Sequence, residues 1–378
     1  MKVIHFLLGK ANPNTMNGVN KVVHHLATEQ LKLNLDVEVW GITKTPNLIS
    51  HVHYYPLLLF PASKSRFILS KKIKDLIKSL PSSTIAHLHS VFIPELFMIS
   101  RLLRKKRISW VFTAYGGYSK RSLKRNHFLK IIFMKLFESH LVKQAKMLHA
   151  IGESEIADFK TICKTQRIVV LPNGQDLNFL DGFINPIKSE SNLIFGYCGR
   201  LDALHKGLDL LLEGFSTFID TGGSAELWLI GDGKDRIFLK NHAKSLGIAD
   251  KVKFFGPLYG NEKLEKIAMI DVFVHTSRWD AAPTAVLEAA ALSKPLLISK
   301  ETNIGTYVER YFSGIVLQKN SPIHIASAMN EFEKKYLTNT LFKIGNRANM
   351  MIKNEFEWPY IANRINHEVY EMDQHLKD

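Results

Sequence analysis

The sequence predicts an α/β protein built from two doubly wound parallel sheets, each covered by helices. Apolar runs of strand length alternate with amphipathic segments of helix length from end to end, which is the pattern of parallel sheets. The chain has 378 residues, which is long for one domain and ordinary for two. Turn-forming residues without periodicity between Asp181 and Asn192 indicate a linker. We therefore expect domains at residues 1–185 and 186–357, followed by a tail at 358–378.

The predicted strands are short runs of β-branched and aromatic residues bounded by turn formers. In the first domain they lie near Val3–Leu8, Val37–Ile42, Ile85–His89, Trp110–Ala114, Met147–Ile151 and Ile168–Leu171. In the second they are Leu193–Cys198, Glu226–Ile230, Val252–Phe255, Val272–His275 and Leu296–Ser299. The predicted helices include Leu208–Ile219, Thr284–Leu292, two basic segments at Lys64–Leu80 and Lys120–Lys146, and the tail after Trp358. Ligands of such sheets bind outside the carboxyl ends of the strands.

Composition excludes several classes of protein. The chain is 46% apolar and 22% charged, as expected of a soluble globular protein. No apolar run approaches the ~20 residues that span a bilayer, and the first residues indicate a strand rather than a signal peptide. Cys163 and Cys198 are interpreted as free thiols in a reducing compartment. We expect a cytoplasmic protein.

The charge is divided unequally between the two halves. Residues 1–185 hold 27 Lys and Arg against 11 Asp and Glu, a net charge of +16, and the rest hold 23 against 24, a net charge of −1, giving +15 in total. An anionic partner for the first half is therefore expected. The two basic helices favour peripheral docking on an anionic membrane. Nucleic acid is disfavoured, because aromatic residues do not alternate with the cations and no recognition motif is present.

The segment from His275 to Ala290 places one carboxylate on a strand-to-helix loop and a second inside the helix. Asp280 belongs to the loop, Pro283 suits the first helical position, and Glu288 follows one turn later. The N–H groups of Thr284 and Ala285 would form an anion site at the positive end of the helix. Glu288 could accept hydrogen bonds from vicinal hydroxyls. A phosphate site beside a diol site indicates a pocket for a nucleotide sugar.

In this segment the chain resembles the family 4 glycosyltransferases, the retaining enzymes of the GT-B fold, whose E-x7-E motif has the spacing of Asp280 and Glu288. Further stretches fit the family in order: Asn17-Gly18-Val19, Leu171–Asp176, Gly199–Gly207, Gly231–Gly233, Phe254–Leu258 and Trp358-Pro359. The resemblance implies two Rossmann-like domains facing across a cleft, with a C-terminal helix that crosses back to the N-terminal domain. The basic N-terminal domain would bind the acceptor, and the second domain would bind the nucleotide sugar.

For the donor, the resemblance implies that Arg200 and Lys206 stabilise the diphosphate, with Arg200 gripping two oxygens. Glu288 would bind the ribose hydroxyls. Asp280, one methylene shorter than the family glutamate, would face the transferred sugar. Gly231 would let the backbone approach the ligand closely, although a tight turn explains a glycine at this position equally well. Leu258 would lie beside the base.

For the acceptor side, the resemblance implies that Asn17 and Gly18 begin the first helix near the donor phosphates. Asn17 replaces a glycine there, which asparagine tolerates because it also adopts left-handed conformations. His89 would line the cleft as a catalytic group, whereas His205 and His275 are interpreted as structural. Tyr115 and Gly116 occupy the place of a family His-Gly pair, so no catalytic duty is assigned to Tyr115.

The expected function is retaining, metal-independent transfer of a sugar from a nucleotide diphosphate to a hydroxyl of a glycan or lipid-linked glycan. UDP-sugars are favoured over GDP-sugars on family habit, and cell-surface polysaccharide or lipopolysaccharide biosynthesis is the expected pathway. No metal-binding residues are expected, since cationic side chains would take the place of a metal ion at the diphosphate. Two alternatives stay open: a GT-B nucleotide-sugar epimerase without an acceptor and, more distantly, a nucleic-acid-binding protein. The sequence does not indicate the oligomeric state.

Overall fold

The computed structural model describes residues 1–13, 17–47, 53–124, 126–164, 167–181, 183–184, 186, 192–280 and 283–371, without the side chains of residues 120 and 121. The chain forms two compact units. The first contains Met1–Gly174 and Trp358–Asp378, and the second contains Gln175–Glu357. The division after Gly174 precedes the predicted boundary at 185, because Gln175 already bonds to the second unit through the carbonyl of Phe356 at 2.6 Å. Most of the predicted linker lies outside the described residues.

The first unit contains a seven-stranded parallel sheet in the order β3-β2-β1-β4-β5-β6-β7. The strands are β1 Lys2–Leu8, β2 Asp36–Thr43, β3 Leu57–Pro61, β4 Ile85–His89, β5 Ser109–Thr113, β6 Met147–Ala150 and β7 Ile168–Val170. Strand β3 is an edge strand that the sequence analysis did not predict. The strand order changes direction at β1, which pairs with β4, and β4 pairs in turn with β5. The carboxyl ends of β1, β4 and β5 are therefore neighbours.

The helices of the first unit are α1 Gly18–Lys32, α2 Lys71–Ser79, α3 Pro94–Lys105, α4 Lys120–Lys124, α5 His127–Phe133, α6 Ser139–Lys143 and α7 Ser154–Ile162, with a π-helical turn at Met134–Glu138. Both basic helices were predicted too long. The first begins only at Lys71, because Ser70 caps it by accepting a hydrogen bond from the N–H of Ile73. The second is divided into α4, α5, the π-helical turn and α6.

The tail returns to the first unit, as predicted. It forms α16 Trp358–Arg364 and a π-helical turn at Ile365–Tyr370. Its apolar face packs in one cluster with residues of β1, α1 and β5, and the Trp358 ring stacks on His25 with 5.6 Å between ring centroids. A methyl group on Gly174 would lie 2.3 Å from the indole of Trp358. The missing side chain at Gly174 therefore makes room for the returning helix.

The second unit contains a six-stranded parallel sheet in the order β10-β9-β8-β11-β12-β13. Its strands are β8 Leu193–Cys198, β9 Ala225–Ile230, β10 Val252–Gly256, β11 Val272–His275, β12 Leu296–Ser299 and β13 Gly314–Leu317. The edge strand β13 was not predicted. The helices are α8 Ala203–Lys206, α9 Leu208–Asp220, α10 Arg236–Ser245, α11 Gly260–Ala268, α12 Thr284–Ala291, α13 Gly305–Arg310, α14 Pro322–Leu337 and α15 Leu341–Glu355, with 3-10 turns at Asn178–Leu180 and Lys300–Thr302.

Each face of the second sheet is covered by its own apolar cluster. One cluster includes α9 and α14, and the other includes α12 and α15. Cys163 and Cys198 are buried free thiols, as predicted. Within the described ranges, no helix has the length and apolar content needed to cross a bilayer.

Candidate active site

Two glycines, whose backbones are in close contact, follow neighbouring strands at the carboxyl edge of the second sheet. Gly199, after β8, donates its N–H to the carbonyl of Ile230 at 2.9 Å. Gly231, after β9, adopts a φ of +133°, and a methyl group there would lie 1.9 Å from the carbonyl oxygen of Gly199. This packing alone requires glycine at 231. The predicted contact of Gly231 with a nucleotide stays a prediction.

A short capped helix and the loop before it carry the two predicted phosphate-binding cations. Asp202 caps α8 by accepting a hydrogen bond from the N–H of His205 at 2.9 Å. Lys206 is the last residue of α8, and Gly207 then turns the chain with a φ of +63°. Arg200 precedes the cap with an exposed side chain. No described carboxylate forms an ion pair with Arg200, so its guanidinium can bind an anion.

Asp280 lies at the centre of a partly buried polar cluster. Its carboxylate forms an ion pair with Lys206, and both side chains are 14% exposed. It also accepts a hydrogen bond from Nε2 of the buried His275 at 3.0 Å. Burial alone would raise the pKa of Asp280, but the hydrogen bond from His275 and the charge of Lys206 hold that pKa below its ordinary value. Asp280 is therefore ionised at neutral pH and is a weak base.

His275 carries no charge in this cluster. Burial lowers the pKa of His275, and the opposing effect of Asp280 is smaller. The neutral ring then donates its Nε2–H to Asp280. The interpretation of His275 as purely structural is incomplete, since it contacts the carboxylate that was predicted to face the sugar.

The loop that carries Asp280 is fixed through its backbone. The carbonyl of Asp280 accepts a hydrogen bond from Nδ2 of Asn303 at 2.7 Å, and its N–H donates to the carbonyl of Glu301 at 3.0 Å. Arg278 forms a bidentate pair with Asp209 of α9 at 2.8 Å. The Asp280 side chain is therefore held by its own loop before any ligand binds.

Glu288 is held by a residue that the sequence analysis did not consider. Lys263 of α11 approaches both carboxylate oxygens of Glu288, at 2.7 and 2.8 Å. Pro283 was predicted at the first helical position but lies just before it, with extended backbone, and α12 begins at Thr284. The N–H groups of Thr284 and Ala285 belong to the first turn, where backbone donors have no acceptor within the helix.

These groups share one edge of the second sheet. The pKa of Tyr197, in β8, is raised by burial and by negative charge, including that of Asp280, and the charge of Arg200 opposes the rise. Burial raises the pKa of the adjacent Cys198 to about 12, with Lys263 and Glu288 acting on it in opposite directions. Leu258 follows β10 and packs, half-buried, against the apolar cluster beside α12.

In the first unit, the loop between β1 and α1 is shaped by asparagines. Asn20 is buried, and its side-chain oxygen accepts hydrogen bonds from the N–H groups of Lys10 and Ala11 at 2.9 Å. Asn17 caps α1 by accepting a hydrogen bond from the N–H of Val19, with a φ of −84°. The sequence analysis explained Asn17 by a left-handed backbone conformation, and that prediction is wrong. Gly18 opens the helix, and space is free around its α-carbon.

His89 was predicted to line a cleft, and the structure places it differently. Its side chain is completely buried, with Nε2 2.9 Å from Nδ1 of His5 and Nδ1 2.8 Å from the hydroxyl of Tyr115. Both ring nitrogens are thus already used, and we withdraw His89 as a catalytic group. Tyr115, with a φ of +53°, and Gly116 form the turn after β5. Glu155 fixes this turn by accepting a hydrogen bond from the N–H of Gly116.

Comparison with known proteins assigns the family. The family model described as "Glycosyltransferase Family 4" matches residues 16–179, and the model described as "Glycosyl transferases group 1" matches residues 183–358. The chain belongs to the family 4 glycosyltransferases. The "Uncharacterized glycosyltransferase" of Haemophilus influenzae is 23% identical over 85% of this chain and 87% of its own length. The "Lipopolysaccharide glucosyltransferase WaaG" of Escherichia coli is 27% identical over 51% of this chain and 59% of its own.

Other relatives match over less of their length. The alignment spans 33% of the "Mannosylfructose-phosphate synthase" of Agrobacterium fabrum, at 28% identity over 36% of this chain. Among solved structures, a glycosyltransferase from Rickettsia africae covers 98% of both chains with a TM-score of 0.72 and 15% identity. Anabaena Alr3699/HepE in complex with UDP and glucose covers 98% of this chain and 99% of its own, with a TM-score of 0.65 and 16% identity. These likenesses show the GT-B fold of this family 4 glycosyltransferase.

Three polar residues that hold candidate site residues in place were missed or undervalued in the sequence. His275 ends the strand before the Asp280 loop, so its proximity to Asp280 could have been inferred from that position. Lys263 lies on a different helix from Glu288, and no local pattern links the two. Glu155 lies one strand away from the Gly116 that it fixes. Only the parallel order of the strands in each sheet brings such partners together.

Proposed function

We propose that this family 4 glycosyltransferase transfers a sugar, with retention of configuration, from a nucleotide diphosphate to a hydroxyl of a glycan or lipid-linked glycan. UDP-sugars are the first donors to test and GDP-mannose the second. The Anabaena protein binds UDP and glucose, two relatives bear the names of lipopolysaccharide glycosyltransferases, and a third is named as a galactosyltransferase that acts on a diphosphoundecaprenol-linked sugar. The proposed pathway is accordingly cell-surface glycan assembly.

The arrangement of charges at the edge of the second sheet supports donor binding most directly. Arg200 is exposed and pairs with no described carboxylate, so it can form bidentate hydrogen bonds with a diphosphate. Lys206, at the end of the short helix that follows Arg200, is already oriented by Asp280. Glu288 offers two carboxylate oxygens for ribose hydroxyls, with its rotamer fixed by Lys263. Cations for a diphosphate and a carboxylate for a diol are the two requirements of a nucleotide-sugar site.

The proposed reaction is a front-face displacement. The bond between the anomeric carbon and the phosphate oxygen breaks, a bond to the acceptor oxygen forms on the same face, and the acceptor's proton passes to the departing phosphate. Asp280 suits a hydrogen-bonding and electrostatic role, because its lowered pKa makes it a poor proton acceptor. Arg200 and Lys206 would stabilise the negative charge that develops on the diphosphate. Because these cations can fill the role of an ion, we propose that transfer needs no metal.

Donor screening tests this function. We expect UDP or GDP to raise the melting temperature, and one sugar conjugate of the stabilising nucleotide to be consumed faster when membrane glycolipid extract is added. Arg200→Ala should reduce the shift, whereas Arg347→Ala, which removes an exposed arginine of the same unit, should leave it unchanged. Donor consumption that yields an isomeric nucleotide sugar without acceptor would favour the epimerase. No shift with any nucleotide diphosphate would contradict the proposal.

We also propose that the first unit docks on an anionic membrane through a docking surface formed by Lys124, residues 127–132, Lys135 and Leu136. This surface exposes Phe128 at 74%, Leu129 at 68% and Leu136 at 57%. Exposed lysines at 124 and 135 border these apolar side chains. Apolar side chains surrounded by cations can enter the headgroup region while the lysines bind anionic lipids. The net charge of +16 on residues 1–185 adds long-range attraction.

Vesicle sedimentation tests the docking. Wild-type protein should sediment with vesicles of phosphatidylglycerol and phosphatidylcholine, and much less with phosphatidylcholine alone. Phe128→Ser/Leu129→Ser should reduce binding at least 10-fold, since each buried apolar side chain contributes roughly 1.5–3 kcal/mol. Ile237→Ser/Phe238→Ser removes a matched exposed apolar pair from the second unit and should change nothing. Equal recovery in the supernatant with both lipids would overturn the docking.

A further inference from the structure

A groove lies at the amino edge of the first sheet, where β5 and β6 begin. It has a volume of about 400 Å³ and is lined by Arg104, residues 107–110, Gln144 and Lys146. Sites for small organic molecules usually have volumes of about 300–1,000 Å³. All of the lining residues belong to the first unit, whereas the proposed donor residues belong to the second. We call this feature the amino-edge groove.

The backbone and the floor of the amino-edge groove are fixed by hydrogen bonds and burial. The N–H of Lys146 donates to the carbonyl of Trp110 at 2.8 Å, which joins the starts of β5 and β6. Trp110 is buried, and its Nε1–H donates to the carbonyl of Leu141 at 3.1 Å. Ile108, also buried, lies beside it in the lining. The groove is therefore formed before any ligand binds.

The lining of the amino-edge groove is positively charged. Arg104, Arg107 and Lys146 contribute three cations, and no carboxylate of the described residues lines the groove. The surrounding sequence has the same character, because residues 96–137 contain 11 Lys and Arg and no Asp or Glu. Five of these cations lie within residues 101–107. A concave surface lined by charges of one sign attracts ligands of the opposite sign.

The two arginines are not needed to end helix α3. Cations are favourable at a helix C-terminus, so the carbonyls of the last turn offer an alternative explanation for Arg104 and Arg107. Those carbonyls, however, are satisfied by the chain itself. The backbone N–H groups of residues 106–108 donate to the carbonyls of residues 102–104 at 3.0–3.1 Å. Both guanidinium groups therefore remain available to another partner.

Both guanidinium groups are also accessible from solvent. The side chains of Arg104 and Arg107 are exposed, and no described carboxylate forms an ion pair with either of them. Arg104 donates one long hydrogen bond, at 3.4 Å, to the amide oxygen of Gln144. A guanidinium group has five N–H donors, so this single bond leaves Arg104 able to bind an anion.

The donors and charges of the amino-edge groove suit a phosphate group. A guanidinium group presents a planar fork that bonds two phosphate oxygens at once. A phosphate monoester carries about 1.5 to 2 negative charges at pH 7, whereas a carboxylate carries one, so a phosphate makes fuller use of three cations. The groove also has room for an organic part, which would lie against the floor formed by Ile108 and Trp110.

We propose that the amino-edge groove binds the phosphate group of a phosphate ester, with Arg104 and Arg107 as its principal contacts. The ester is either a soluble molecule or the head group of a lipid, because the chemistry that the groove recognises is the same in both. This site is separate from the donor site and does not depend on the proposed transferase function.

Calorimetric titration of the full chain with inorganic pyrophosphate tests the site. The background variant Arg200→Ala weakens any binding at the proposed donor site, and the ionic strength is held constant. Arg104→Gln/Arg107→Gln, the arginine double variant, should raise the Kd roughly 10-fold or more, because charge-assisted hydrogen bonds are lost. Lys105→Gln/Lys106→Gln, the lysine double variant, is the matched control: it removes two exposed cations of the same segment that do not line the groove. It should leave the Kd unchanged.

Vesicle sedimentation distinguishes the two sources of the phosphate. Phosphatidic acid in phosphatidylcholine presents a phosphate monoester, and the background variant Phe128→Ser/Leu129→Ser removes apolar side chains of the proposed docking surface. Weaker sedimentation of the arginine double variant than of the lysine double variant would identify a lipid head group. Equal sedimentation, together with weaker binding of pyrophosphate by the arginine double variant, would identify a soluble ester.

Equal behaviour of the two double variants in both assays would overturn the proposal, as would the absence of binding to pyrophosphate and to phosphatidic acid. Both double variants replace exposed side chains, so equal melting temperatures should confirm that they fold. A missing thermal shift of the wild-type protein with UDP and GDP would count against the proposed function alone, since the groove is tested without any nucleotide. The two failures can therefore be told apart.

Discussion

The ion pair between Lys206 and Asp280 gives a prediction that tests the geometry of the donor site without any substrate. Lys206→Met leaves the Asp280 carboxylate with His275 as its principal remaining partner, and Asp280→Asn leaves the ammonium of Lys206 without its carboxylate. We expect each single variant to be destabilised. The double variant should be destabilised by much less than the sum of the two.

The magnitude follows from the burial of the pair. Removing one partner of a fully buried ion pair costs about 3–5 kcal/mol, because the other charge is left desolvated. Both side chains are 14% exposed, so some water reaches them and we expect ~2–4 kcal/mol for each single variant. Neither charge remains in the double variant. The coupling free energy should therefore be about 2 kcal/mol, within the range found for residues in direct contact.

Urea unfolding at pH 7 measures these free energies. Trp228 and Trp279 provide fluorescence signals within the second unit, and Trp279 stacks on His205 next to the pair, with 4.9 Å between ring centroids. A parallel cycle on the half-buried Lys335 and the exposed Glu331, 3.1 Å apart on one helix, serves as the control and should give a coupling below ~0.5 kcal/mol. Strictly additive effects at Lys206 and Asp280 would refute the described geometry.

Three further predictions concern acid stability, the returning helix and metal dependence. The free energy of unfolding should be highest above pH 6.5 and fall as the pH drops toward 4, because His5 and His149 gain protons near pH 6.5 in the unfolded chain and only near pH 4 in the folded one. Urea unfolding should show that this free energy is lower by ~1.4 kcal/mol per histidine at pH 5.5. A urea midpoint that does not change with pH would contradict this. Gly174→Ala should lower the stability of the first unit by ~1–3 kcal/mol through overlap with Trp358, measured by thermal unfolding, with Gly18→Ala, at an open position of the same unit, as a milder control. Donor turnover should survive dialysis against EDTA, and its loss, restored by Mg²⁺ or Mn²⁺, would contradict metal independence.

Much of the fold was predictable because parallel strands are buried on both faces and appear as apolar runs. The eleven strands predicted from the sequence are all present. The two that were missed, Leu57–Pro61 and Gly314–Leu317, are edge strands. Edge strands have one bonded neighbour, so they tolerate proline, glycine and weak alternation. The basic segment at 120–146 looked like one helix because its charge pattern continues across the π-helical turn, where Phe137 contacts Phe67 and Phe97 and Glu138 accepts a hydrogen bond from Tyr118.

The position of the proposed donor-site residues at one edge of the second sheet was predictable, and their ion pairs were not. Arg200 and Lys206 come after β8, and Asp280 and Glu288 come after β11, so their common edge followed from the order of the motifs. Which cation meets which carboxylate depends on distances across the sheet, and Lys206 binds Asp280 while Lys263 binds Glu288. The burial of His89 also escaped prediction, since a histidine at a strand end looks the same whether it faces a ligand or other histidines.

The proposed function requires that the edge of the second sheet bind a nucleotide diphosphate through Arg200 and Glu288. Calorimetric titration of the protein with UDP and with GDP tests it most directly, using Glu288→Gln and the control Glu262→Gln, an exposed glutamate on the neighbouring helix. Loss of a charge-assisted hydrogen bond of roughly 1.5–3 kcal/mol predicts at least a 10-fold higher Kd for Glu288→Gln and an unchanged Kd for Glu262→Gln. Equal Kd values for both variants and the wild-type protein would contradict the account.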